Sequence, residues 1–201
     1  MKQLLRIALV LSLVCAAIGA FSPAAHAQKI DFAFGVSAMD APGASNGDSN
    51  HNPVSLTGGA YPGFSGDVLF WHNVGVGGEI FWRASQANNY AGQGFNFRPV
   101  FYNFNGVYSP RLAPRTYLEL VGGIGAEDTH YYTGTVCGIY SCSNYQSINH
   151  FDGDLGGGLK LYATKGFFIR PEARVYLVHN NQEFSSWHNT RYGVSIGYTC
   201  H

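Results

Sequence analysis

The sequence predicts an all-β chain closed into an eight-stranded antiparallel up-and-down transmembrane β-barrel. Three observations predict it. Eight runs of 10 to 13 residues follow one another, about the length a tilted strand needs to cross a bilayer. In most of them apolar and polar residues alternate, so the two kinds of side chain point to opposite faces of the strand. The connections alternate between short and long, as they do in barrels with tight turns on one side of a membrane and loops on the other.

The strands are taken in chain order. Lys29–Met39 sets Phe32, Phe34 and Val36 against Asp31, Gly35 and Ser37. Tyr61–Trp71 sets Val68 and Phe70 against Asp67, which leaves Leu69 and Trp71 on the polar side. In Val74–Arg83, Ile80 and Trp82 oppose Glu79 and Arg83. Phe95–Val107 has the weakest alternation, because Val100 and Tyr102 share parity with Arg98. Thr116–Ala126 sets Leu118, Leu120 and Ile124 against Glu119, and Asp152–Ala163 sets Leu155, Leu159 and Leu161 against Asp154 and Lys160. In Phe167–Val178 the apolar set is Phe167, Ile169, Ala173, Val175 and Leu177, opposite Arg170, Glu172, Arg174 and Tyr176. Arg191–Cys200 closes the series, with Tyr192, Val194, Ile196 and Tyr198 opposite Arg191 and Ser195. The connections 72–73, 108–115 and 164–166 are short; 40–60, 84–94, 127–151 and 179–190 are long. With both termini on the inner side, every long loop falls outside.

Residues 1–27 have the layout of a secretory signal peptide: Lys2 and Arg6, an apolar run from Ile7 to Ala20, and Ala25-His26-Ala27 for cleavage. Of 201 residues, removal of 27 leaves 174, enough for one barrel domain over 28–201. All 12 acidic residues stay, but two of the 12 basic ones leave, for a net charge of about −2. No basic surplus points to nucleic acid. Abundant Gly, Tyr and Phe with few charges suit β-structure with aromatic interface belts.

If the apolar faces meet lipid, the charged faces meet in the lumen. There Asp31, Asp67, Glu79, Glu119, Asp154 and Glu172 would stand against Arg83, Arg98, Lys160, Arg170, Arg174 and Arg191. Eight strands enclose a space just wide enough for side chains to fill, and a desolvated charge there needs a partner. The balanced set predicts a closed lumen that conducts little, and one that opens when Arg170, Glu172 and Arg174 are cut to alanine. The opposite arrangement, a soluble lipocalin-like barrel with apolar residues inside, uses the same two faces. Pro99 and Pro171 lack the N–H that a ladder uses, so each calls for a bulge or a place at the rim. Gly156-Gly157-Gly158 lies inside a strand, where small residues let barrel walls approach closely.

Cys137 and Cys142 lie in the longest loop, and an exported chain meets an oxidising compartment, so a disulfide across the loop tip is expected. His130 and His150 flank the pair, but the paired spacing of a zinc site is absent, and no metal is expected. Cys200 is left as a free, partly buried thiol. Two groupings could carry catalysis. Ser185 and Ser186 precede His188, with Glu183 before rather than after them; Glu127, Asp128 and His130 make an acid–histidine cluster. A serine–histidine pair needs an orienting acid, so no enzyme activity and no cofactor are expected.

The strand pattern over nearly all of 28–201 resembles the small eight-stranded outer-membrane barrels, the group of the OmpA transmembrane domain and OmpX. The last strand adds to the resemblance. Arg191, Gly193, Ile196 and Tyr198 are similar to the C-terminal signal read by the barrel-assembly machinery, although the chain ends Thr199-Cys200-His201 where the family commonly ends on an aromatic. The resemblance implies the bacterial outer membrane, contact with its lipid, and no room for a periplasmic peptidoglycan-binding domain. It implies a structural or adhesin-like role through loops 40–60 and 127–151, with an unidentified extracellular ligand. A narrow passive pore is the alternative. So is a lipid A-modifying barrel, whose His-x-Ser pattern is here His188-Asn189-Thr190.

Overall fold

A computed structural model describes residues 29–41, 55–88, 96–132, 136–137, 142–179 and 186–200. The export signal read in residues 1–27 lies outside these residues, as do Glu183 and Ser185. Eight long strands make the barrel: β1 Lys29–Asp40, β2 Tyr61–Trp71, β3 Val74–Trp82, β4 Asn96–Tyr108, β5 Thr116–Tyr132, β6 Gln146–Tyr162, β7 Phe167–Val178 and β8 His188–Cys200. Each pairs antiparallel with its neighbours in sequence, and β1 closes on β8 from Ile30↔Cys200 to Asp40↔Thr190. Closure leaves no long open edge. The tightest turn, His72-Asn73 between β2 and β3, takes both residues to positive φ (45° and 65°), the twist a two-residue hairpin needs.

The two faces of each strand have opposite chemistry, and the apolar one points out. Phe104 is 80% exposed, Leu155 72% and Ile196 64%, while Arg170 is 1% and Glu119 1%. An apolar surface wrapped round the whole circumference does not suit water. It suits a bilayer, and it removes the lipocalin-like alternative.

The strands run longer than the alternation predicts at the long-loop end. β5 and β6 extend to Tyr132 and back from Gln146, so much of the expected loop 127–151 is a hairpin standing on the barrel. The reason is a partner: β4 pairs along β5 as far as Asn96↔Tyr132. A two-residue strand pair, Val136–Cys137 against Cys142–Ser143, lies in the connection beyond. It sets Cys137 directly opposite Cys142.

The two prolines find different solutions. Pro99 lies past the end of β3 at the rim, and its carbonyl accepts a hydrogen bond from the Arg83 N–H (3.1 Å). Pro171 faces lipid in mid-strand. There the β6–β7 ladder runs from Asp152↔Val178 to Gly158↔Glu172 and resumes at Leu161↔Ile169. The gap spans the position where proline has no N–H to donate.

Candidate functional site

The lumen is filled in three layers. At the short-turn end, Leu69, Val107 and Val121 form a buried apolar cluster. At the long-loop end, Phe81, Phe97, Phe101, Tyr176, Met39 and Tyr61 form a larger one. Phe81 and Phe101 stack 4.7 Å apart, and Tyr176 tilts against both. Leu56, from the segment leading into β2, is fully buried in this cluster, and its carbonyl accepts a bond from the Tyr61 hydroxyl (2.8 Å). Ser55 and Thr57 tie the segment to Ala41 (3.0 and 2.7 Å). Neither apolar layer shows in the strand alternation, which points to a lumen of charges alone.

Between the apolar layers lies the ionic one. Lys160 contacts Glu119 directly, with Asp31 at 2.5 Å and Asp67 at 3.6 Å. Arg170 reaches Glu119 (2.8 Å), Glu172 (3.0 Å) and Asp67 (3.7 Å). Arg174 reaches Glu79 (3.2 Å), Asp154 (3.6 Å) and Glu172 (3.9 Å), and Arg191 reaches Glu79 (2.8 Å) and Glu172 (3.0 Å). The Arg191 guanidinium also lies over the Phe81 ring, 4.1 Å from its centre, which joins the ionic layer to the aromatic one.

The expected balance of six and six is corrected. All six acids are in the network, but only four cations are. Arg98 has lipid-side parity with Val100, Tyr102 and Phe104, above the apolar band, where its Nη2 donates to the Ala84 carbonyl (3.2 Å). Arg83 lies just past the end of β3, half-buried, against Gly59. Neutral donors take up the missing role. Tyr176 donates to Glu79 (2.5 Å). Asn103 donates to Asp154 (3.3 Å) and, at closer range, to Asp152, a buried lumen acid outside the expected set. Asn105, in the amide orientation that satisfies both neighbours, donates to Asp154 (2.9 Å) and accepts from Arg174 (2.9 Å).

Glycines make these reaches sterically feasible. Asn103 and Asn105 on β4 sit directly across from Gly125 and Gly123 on β5, which pair in turn with Asp152 and Asp154 on β6. A Cβ at Gly123 would come within 2.2 Å of the Asn105 side chain, and one at Gly125 within 2.5 Å of Asn103. The asparagines therefore lie across a strand to meet acids two strands away. In the glycine run, a Cβ at Gly156 would strike the Arg174 stem (2.5 Å) and one at Gly158 would crowd Arg170 (3.1 Å). The run makes room for two arginines.

The catalytic and metal candidates separate. Glu127 faces inward and is fully buried, with the Thr129 hydroxyl donating to it (3.3 Å). Asp128 and His130 face outward, 3.0 Å apart, and His130 stacks on Tyr145 at 4.4 Å. His150 lies across from Glu127 on β6, on the opposite face from His130. Among the described residues, no three His, Cys, Asp or Glu side chains are grouped to hold a metal ion. The Ser186 hydroxyl donates to the His188 carbonyl (2.7 Å) and lies 3.3 Å from its Nδ1. Of the assembly-signal residues, Arg191 points into the lumen, Gly193 packs against Ser37, and Ile196 and Tyr198 face lipid. Cys200 is free, as expected, but exposed rather than partly buried, because its parity puts it on the outer face of β8.

No family model matches the sequence, and no curated relative does. Solved structures share the fold. A major outer membrane protein from Thermus thermophilus aligns with 87% of this chain and 100% of its own, at 11% identity and a TM-score of 0.57. Neisserial surface protein A aligns over 86% and 95%, at 9% identity and 0.56. Ail, the attachment invasion locus protein of Yersinia pestis, solved with the heparin analogue sucrose octasulfate, aligns over 86% and 97%, at 13% identity and 0.51. The fold is that of the small eight-stranded outer-membrane barrels.

Proposed function

We propose that the protein is an exported, non-enzymatic barrel of the bacterial outer membrane, with a closed interior and a structural or surface-interaction role. The observation that carries this reading is the three-layered lumen. A pore needs a continuous water path, and here an ionic layer lies between two apolar ones. The outward hairpin of β5 and β6 carries the surface role. Its polar arms, with Asp128, His130 and Tyr145, rise beyond the apolar band, and a Cys137–Cys142 disulfide would pin its tip. The Ser186 hydroxyl bonded to a backbone carbonyl supports the non-enzymatic reading.

Single-channel current in a planar bilayer tests the closed interior. The wild type gives rare, small events. The layering changes what is expected of the Arg170→Ala, Glu172→Ala, Arg174→Ala variant: it also stays quiet, because Phe81 and Phe101 on one side and Leu69, Val107 and Val121 on the other still exclude water. Steady, large conductance from the wild type would overturn the reading and establish the pore.

A further inference from the structure

The ten basic residues that follow the export signal divide by height along the barrel. Lys160, Arg170, Arg174 and Arg191 are in the lumen, and Arg83 and Arg98 are at the long-loop end. The other four are all at the short-turn end. Lys29 pairs with Leu69, close to the β2–β3 turn. Arg111 and Arg115 belong to the β4–β5 connection, and Lys165 to the β6–β7 connection. Arg111, Arg115 and Lys165 are exposed.

Among the described residues no acid is paired with them. Asp31, two residues from Lys29 in sequence, is 2% exposed inside the lumen and held by Lys160. Asp48 and Glu183 belong to the long connections, and every other acid lies in the ionic layer or at the long-loop end. Among the described residues none of the four basic groups makes an ion pair. Lys29 rests over the Tyr117 ring at 5.1 Å, and Arg111 donates to the carbonyls of Ala113 and Pro114 (both 3.2 Å). At the same end, Trp71, Tyr108, Phe167 and Tyr198 stand exposed on the outer face. Aromatic side chains of this kind mark the level of the lipid headgroups. Three exposed, uncompensated cations, Arg111, Arg115 and Lys165, therefore stand where headgroup phosphates lie, and Lys29 adds its charge from the mouth of the lumen beside them.

We propose that this rim is a binding surface for anionic phospholipid headgroups in the leaflet that meets the short turns. The proposal rests on the membrane reading above and adds a ligand class to it. Basic groups next to a bilayer attract anionic lipid strongly enough for several-fold enrichment, and the attraction fades within a Debye length. The opposite end, where Asp40 and Asp128 accompany Arg98, has no such surplus.

Trp71 is a reporter at the rim, since the chain has only two other tryptophans, Trp82 and Trp187. The full mature chain carrying Trp82→Phe and Trp187→Phe is folded into phosphatidylcholine vesicles containing brominated phosphatidylcholine or brominated phosphatidylglycerol at equal mole fraction. Heat-modifiable gel migration first checks insertion; a chain that never inserts sinks the membrane reading and this proposal with it. In the inserted protein, Trp71 is quenched with about threefold preference for the anionic lipid. The preference disappears in roughly 1 M salt, where the screening length is about 3 Å. It also disappears when Lys29, Arg111, Arg115 and Lys165 are changed to Gln. A Trp82-only chain shows no preference. Equal quenching of Trp71 by both lipids, a preference that survives the four substitutions, or the same preference at Trp82 would each overturn the site. If equal quenching came with co-sedimentation of the protein on peptidoglycan sacculi, the rim would belong to a cell-wall polymer instead.

Discussion

Replacing Lys160 with Met tests whether the ionic layer carries stability as well as closure. Lys160 is 1% exposed and touches three acids. Glu119 and Asp67 keep Arg170 as a second cation, but Asp31 has no other ion pair among the described residues, and its Oδ1 is already without a hydrogen bond. Methionine retains much of the stem, including its place near the Phe168 ring, where Nζ now sits 5.5 Å from the centre. The loss is then mainly electrostatic. Stranding a buried charge costs about 3–5 kcal/mol. Adding Asp31→Asn removes the stranded charge, so the double variant should be more stable than Lys160→Met alone. The pair should show a coupling of roughly 1–3 kcal/mol in a double-mutant cycle. The assay is reversible urea unfolding in lipid vesicles, followed by tryptophan fluorescence. A Lys160→Met protein within about 0.5 kcal/mol of wild type, or a double variant no better than the single one, would refute the reasoning.

Leu155 is 72% exposed midway along the lipid-facing side of β6, so Leu155→Arg should cost about 2–4 kcal/mol and slow assembly, seen as loss of heat-modifiable migration. Gly125→Val should destabilise by roughly 1–3 kcal/mol in the same urea assay, because even its Cβ would meet the Tyr102 carbonyl at 2.2 Å and displace Asn103 from Asp152. Mass spectrometry of the exported, non-reduced protein should find the Cys137–Cys142 segment about two mass units lighter than its reduced form. Removing that bond should change stability by no more than about 2–3 kcal/mol, since the loop it closes is short.

The fold is legible because a membrane barrel writes its environment onto every second residue. In β7, Phe167, Ile169, Val175 and Leu177 share one parity and Arg170, Arg174 and Tyr176 the other, and the structure puts the first set in lipid and the second in the lumen. Loop lengths supply the orientation. Two things cannot be read from alternation. One is the rise of β5 and β6 beyond the bilayer, because a strand above the membrane continues only if a neighbour offers a ladder, and β4 is that neighbour. The other is the height of each charge. Parity gives a face but not a depth, so Arg98, lying above the lipid band on the outer face, reads from sequence as a lumen cation.

β4 loses its alternation for a physical reason. The pattern is visible only when the two sides of a strand meet surroundings of different polarity. From Val100 downward the outer side of β4 meets apolar lipid, but the lumen beside it is not uniformly polar. Going down the strand, the inward side chains are Phe97, Pro99, Phe101, Asn103, Asn105 and Val107: apolar at the plug, polar for two positions, and apolar again at the short-turn cluster. The outward ones include Val100, Tyr102, Phe104 and Tyr108. Both faces therefore read as mostly greasy, and the single charge, Arg98, suggests the wrong parity. The same property that erases the pattern supports the proposed closed interior. A lumen polar along its whole length would have given β4 a clean alternation, and it could have held a continuous file of water. The loss of alternation in β4 is thus a sequence-level mark of apolar layers inside the lumen, carried by the strand that supplies Phe97 and Phe101 to one layer and Val107 to the other.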